Sequence, residues 1–138
     1  MDVAANMLAV RRFYDAGPAD DDERRLAFAS PDIVWHVPGS NRISGRYAGS
    51  EAVFRTMPAS MAPLDQWTID VIDLMANADL VVARVHVRGR RLGRSVDTFG
   101  AHVFRLDDEA KIVEAWGFTA DQAALDALLD PEAPAPAG

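Results

Sequence analysis

Leu80–Leu106 reads LVVARVHVRGRRLGRSVDTFGAHVFRL. In its first half Val81, Ala83, Val85 and Val87 alternate with Arg84, His86 and Arg88. That period of two marks a strand with one apolar and one polar face. Gly89–Gly93 supplies a turn, and Ser95–Leu106 runs back as a second strand. In the return strand Asp97 and Arg105 share one parity, and Val96, His102, Phe104 and Leu106 the other. The charged parity faces outward, so His102 points into the apolar interior. His86 keeps step with Arg84 and Arg88 and faces outward. The arginines of RGRRLGR, Arg88–Arg94, read as the solvated tip of this hairpin rather than a phosphate site.

Working outward, the β pattern extends both ways. Trp67, Ile69 and Val71 alternate with Thr68 and Asp70, and Asn77–Asp79 turns that strand into the next. Asp107–Ala110 turns again, and Lys111–Thr119 is the last long strand. A short helix follows over Asp121–Leu129, with Asp121 as its N-cap. Upstream, Val3, Met7, Val10 and Tyr14 have helical spacing over Val3–Ala16, ended by Gly17-Pro18. A second helix is expected over Asp21–Ala29, its acidic N-terminal run suited to the helix dipole. Ile33–Val37 reads as the first strand. A glycine-bearing loop comes next, then a short helix from Ser50 to about Met61.

Helices followed by a run of antiparallel strands predict an α+β fold. A curved antiparallel sheet wrapped round the N-terminal helices would leave a cone-shaped cavity fit for a small molecule. The 138 residues suit one domain, taken as 1–130, with a Pro/Ala-rich tail over 131–138 expected to be disordered.

Composition narrows the function classes. The net charge of −7 argues against nucleic-acid and anionic-membrane surfaces, which call for clustered cations. With no cysteine, disulfides, thiolate nucleophiles and cysteine-ligated metals are excluded. No apolar run approaches a membrane span, and the N-terminus lacks the pattern of a secretory signal. A cytoplasmic location is the resulting expectation.

One further stretch stands out: DIVWHVPGSN, Asp32–Asn41, with His36 inside an apolar run. Ile33, Trp35 and Val37 share one face, Val34 and His36 the other. Both faces are apolar, so parity leaves the direction of His36 open. A core histidine bonded to a carbonyl and an acid–base group are both compatible. No phosphate loop or GxSxG elbow occurs. With His86 facing outward, the three histidines do not make a metal site, and none is expected. General acid–base chemistry by histidine in an apolar cavity remains.

The motifs DIVWHVPGSNRISGRYAG (Asp32–Gly49), HVFRLDDEAKIVEAW (His102–Trp116) and FTADQAALDALL (Phe118–Leu129) resemble the SnoaL-like branch of the nuclear transport factor two-like superfamily. That group includes SnoaL-type polyketide cyclases, ketosteroid isomerase and limonene epoxide hydrolase. The resemblance implies a cystatin-like α+β cone. Carried across from the isomerase, the position of its base falls on His36, and that of its second acid on His102. The position of its tyrosine donor falls on Val10, with Tyr14 nearby but on a different part of the helix.

The resemblance therefore implies a small enzyme without metal or cofactor, acting on a hydrophobic polyketide- or steroid-like carbonyl compound. Cyclisation, isomerisation or dehydration would follow proton abstraction. His36 is the expected base and His102 the oxyanion donor or proton shuttle. Trp35, Phe54, Trp67, Phe104 and Trp116 are the expected substrate-binding residues. The alternatives are a non-catalytic binding protein and an epoxide hydrolase, the latter needing Asp and Arg in the cavity. The family also implies a homodimer through the outer sheet face.

Overall fold

The computed structural model describes residues 2–16, 22–61 and 64–130. The breaker Gly17-Pro18, Asp20, Asp21 and the tail 131–138 lie outside them. Helix α1 (Val3–Asp15) is capped by Asp2, whose carboxylate accepts from the Ala5 N–H at 3.1 Å. Helix α2 is a single turn, Asp22–Arg25, much shorter than the spacing predicts. The chain enters β1 (Ala29–Val37) early, and Pro31 is accommodated within that strand.

β2 (Gly45–Ala48) forms where the sequence suggests only a loop. It pairs antiparallel with β1, Trp35 opposite Tyr47. A π-helical turn over Ala52–Thr56 leads into α3 (Met57–Met61). The meander follows as β3 (Gln66–Asn77), β4 (Leu80–Arg91), β5 (Arg94–Leu106) and β6 (Ile112–Thr119), closed by α4 (Gln122–Leu129). Asp121 caps α4 as expected, accepting from the Ala124 N–H at 3.1 Å.

The six strands form one curved, unclosed sheet in the order β2-β1-β6-β5-β4-β3. Every pair is antiparallel except β1 with β6, which run parallel, Trp35 beside Ala115 and His36 beside Trp116. A register shift between Val71 and Asp73 inserts an extra residue into β3, a bulge of the kind that bends a strand.

The concave face collects the apolar parity. Val81, Val85, Phe104 and Ala115 are fully buried, with Val10 and Ile33 against them. Phe104 is ringed by Phe13, Tyr14 and Trp35, all in edge-on contact at 5.4–5.9 Å between ring centres.

The convex face carries ion pairs. Arg84 meets Asp73 at 2.7 Å, Arg88 meets Asp70 at 2.8 Å, and His86 meets Asp97 at 2.6 Å. His86 faces outward, as its parity predicts. Phe99 and Phe118 stand half-exposed on the same side.

Candidate functional site

A cavity of about 220 Å³ lies between the concave sheet face and the helices. Trp35 and Val37 of β1, Trp67 of β3, His102 of β5 and Gly117 and Thr119 of β6 form its sheet wall. Phe13 of α1, Met57 and Met61 of α3, and Leu125 and Leu129 of α4 cover it. Among the described lining residues there is no carboxylate, lysine or arginine.

The loop from Pro38 to Ser44 contributes Ile43 and is pinned to α4. Asn41 donates to Asp126 at 2.6 Å, and Gln122 donates to the same carboxylate at 2.8 Å. Gly39 makes this approach possible. Its φ is +86°, and an added Cβ would stand 2.2 Å from the Gln122 side chain.

His102 is the polar focus of the cavity. Its Nδ1 is 2.5 Å from the Tyr14 hydroxyl, and the two rings lie parallel, centres 5.8 Å apart. Burial drives both groups to their neutral forms. It lowers the His102 pKa to about 4 and pushes the Tyr14 phenol above its usual range.

With both groups neutral the pair has two forms: the Tyr14 O–H donates to a bare Nδ1 and Nε2 carries the ring proton, or Nδ1–H donates to the hydroxyl oxygen. The first form gives the hydroxyl proton an acceptor within the chain, and no other is found among the described residues. Gly117 sits directly opposite His102 on β6 and leaves the ring uncrowded. In the first form the pair offers an N–H donor beside an apolar chamber.

Thr119 adds a second polar point. Its Oγ1 is buried and has no partner among the described residues, yet the residue lines the same cavity. With Gly117 opposite His102 and Thr119 opposite Gly100, His102 and Thr119 are diagonal neighbours on one sheet face. Such neighbours lie on the order of 7–8 Å apart.

The expectation that His36 and His102 share the cavity is corrected. Trp35, next to His36, faces inward, so His36 faces the convex side. There Nε2 meets Glu114 at 2.7 Å and the ring stacks on Trp116, centres 5.4 Å apart and planes 10° off parallel. Arg105 approaches Glu114 at 3.3 Å. The His36 hydrogen bond, aided by Arg105 and opposed by partial burial, holds the Glu114 carboxyl below its ordinary pKa. His36 is bound into a surface cluster and does not reach the cavity.

Of the five expected binding aromatics, Trp35 and Trp67 line the chamber. Trp116 is on the convex face under His36. Phe104 is fully buried behind His102, and Phe54 packs against Phe13 and Phe28, so both belong to the core.

The sequence reading missed Tyr14 and Thr119. Tyr14 lies four residues beyond Val10, one helical turn on the same face, and that spacing is the signal that could have found it. Among the described residues no three His, Asp or Glu side chains gather as a metal site would require.

Fold and chamber define the class: a cystatin-like α+β fold whose curved sheet encloses a largely apolar cavity. The SnoaL-like domain model matches residues 10–115, and the chain belongs to that family. A protein of unknown function with a cystatin-like fold from Xanthomonas campestris is 29% identical, with 91% of this chain and 98% of that chain covered and a TM-score of 0.78. An NTF2-like protein from Burkholderia thailandensis is 26% identical, covering 91% of this chain and 95% of that one, TM-score 0.73. TerC, co-crystallised with polyporic acid, shares the fold at 19% identity, covering 91% and 98%, TM-score 0.74. No curated protein matches the chain.

Proposed function

We propose that the chain is a cofactor-independent enzyme that binds an uncharged, hydrophobic carbonyl compound in the cone cavity. His102 donates its Nε2 proton in a hydrogen bond to the carbonyl, and Tyr14 holds the ring in that tautomer. The observation that carries this reading is the Tyr14–His102 pair at the wall of an otherwise apolar chamber.

A neutral donor in a water-poor site strengthens its bond as an enolate oxyanion develops. Enolisation, with a solvent water taking the α-proton because no described lining residue supplies a base, would then be accelerated, and cyclisation, isomerisation or dehydration can follow it. A histidine with a pKa near 4 is a weak base at neutral pH. Its role is therefore the oxyanion donor, and the chamber contributes orientation. TerC, which shares the fold, was co-crystallised with polyporic acid, in keeping with a small-molecule ligand here.

The test is α-proton exchange into D2O for a panel of polycyclic ketones, followed by mass spectrometry. Wild type and His36→Gln should exchange alike, and His102→Asn should lose most of the rate. Exchange by wild type no faster than by His102→Asn would sink the proposal.

A binding protein without turnover is the second reading. The lack of a carboxylate among the described lining residues favours it, and ligand retention without exchange would identify it. Epoxide hydrolysis needs an Asp and an Arg in the chamber, and none of the described lining residues supplies either.

We further propose a homodimer through the convex face. Phe99 and Phe118 are 52% and 56% exposed there, and Arg84, Arg88 and His86 are already paired within the chain. A neutral apolar ridge suits a second copy of an acidic chain.

A further inference from the structure

The hairpin tip is not uniformly solvated. Arg88 pairs with Asp70 on the convex face and Arg90 is exposed. Arg91, by contrast, is only 8% exposed. Its parity follows Val87 and Gly89 along the concave side of β4, so its side chain turns under the sheet. The end of α4 covers it there. A Cβ on Gly89 would meet Leu128, and Arg94, directly opposite Arg91, donates to the Ala127 carbonyl at 3.0 Å.

Nε and Nη1 of Arg91 are buried and have no hydrogen-bond partner among the described residues. A guanidinium cannot shed its proton to escape burial, and a buried cation without a partner is strongly unfavourable. Beside it lies a separate cavity of about 110 Å³ lined by Arg91, Leu92, Arg94, Ala127 and Leu128. It is too small for a polycyclic ligand. It has room for one carboxylate or phosphate group, the shape that arginine binds best.

We propose that this cavity is an anion site, distinct from the cone cavity, in which Arg91 holds a carboxylate or phosphate group against the end of α4. A small anion from solution supplies that chemistry. The C-terminal dipole of α4 also favours a cation, and if it suffices alone no anion effect should appear.

The experiment is thermal unfolding of the full chain at pH 7 in phosphate against chloride, at matched ionic strength. Phosphate at ten times its Kd should raise the folded-to-unfolded ratio about 11-fold. That corresponds to a rise of roughly 4–8 °C in Tm. The excess of this rise over the general effect of phosphate on stability should persist in Arg90→Gln and vanish in Arg91→Gln, which reports that general effect alone. Should Arg91→Gln fail to fold, Arg91→Lys replaces it and should respond severalfold less than wild type.

Equal responses in wild type and the Arg91 variant, or no response in wild type, would overturn the proposal.

Discussion

Protonation of His102 should be read directly as a loss of stability in acid. Burial lowers its pKa from 6.5 to about 4. Between those values the unfolded chain binds a proton that the folded chain refuses, so stability rises with pH in this window and falls as acid is added. Holding the ring neutral down to about pH 4 corresponds to roughly 3 kcal/mol in full. Of this about 2 kcal/mol should be lost between pH 7 and pH 5.

Glu114 has the opposite placement. Its carboxyl is held below 4.5, so its stabilisation is complete above that value and lost only in stronger acid. The pH 5–7 window therefore isolates His102 once wild type is compared with a variant. His102→Asn is the suitable one, because its carbonyl oxygen can still accept from Tyr14 and the side chain does not titrate. Urea unfolding at pH 5, 6 and 7, followed by circular dichroism, gives the comparison. Wild type should lose about 2 kcal/mol more than His102→Asn from pH 7 to pH 5. Parallel slopes would refute burial of a neutral imidazole at this position.

Other perturbations test separate parts of the account. Tyr14→Phe removes one hydrogen bond and frees the His102 tautomer; urea unfolding should register a loss of about 1 kcal/mol. Ketone exchange in the same variant should slow roughly tenfold or more. Gly39→Ala forces a side chain into a positive-φ position against Gln122 and Asp126, and should cost about 1–2 kcal/mol by denaturant unfolding. Phe99→Asp on the convex face should convert a dimer to a folded monomer by light scattering, and an unchanged mass would remove that face from the interface.

Much of the fold is legible because the hairpins are local. The alternation around Val81–Val87 and Val96–Leu106 gives the right faces, and Asp97 and Arg105 are enough to turn His102 inward. The parallel pairing of β1 with β6 is not legible, since it joins segments some eighty residues apart with no turn between them.

That pairing decides His36. Placed by its distance from Gly39, His36 matches a family site position, but the alternation of β1 aims Trp35 at the chamber and His36 at Glu114. Both faces of β1 are apolar in sequence because Trp116 covers the second one. Tyr14 was missed, although its i+4 relation to Val10 puts it one turn on along the same helix face. Burial of Arg91 was not legible, because only the packing of α4 over the hairpin tip separates it from Arg90.

The account rests on a neutral His102 that presents its Nε2 proton to the cavity. Long-range ¹H–¹⁵N correlation spectra of the histidine rings, recorded at pH 6, report protonation and tautomer for each ring separately. His102 should appear as a neutral ring protonated on Nε2, and Tyr14→Phe should relax that preference. An imidazolium at pH 6, or a neutral ring protonated on Nδ1, would contradict it.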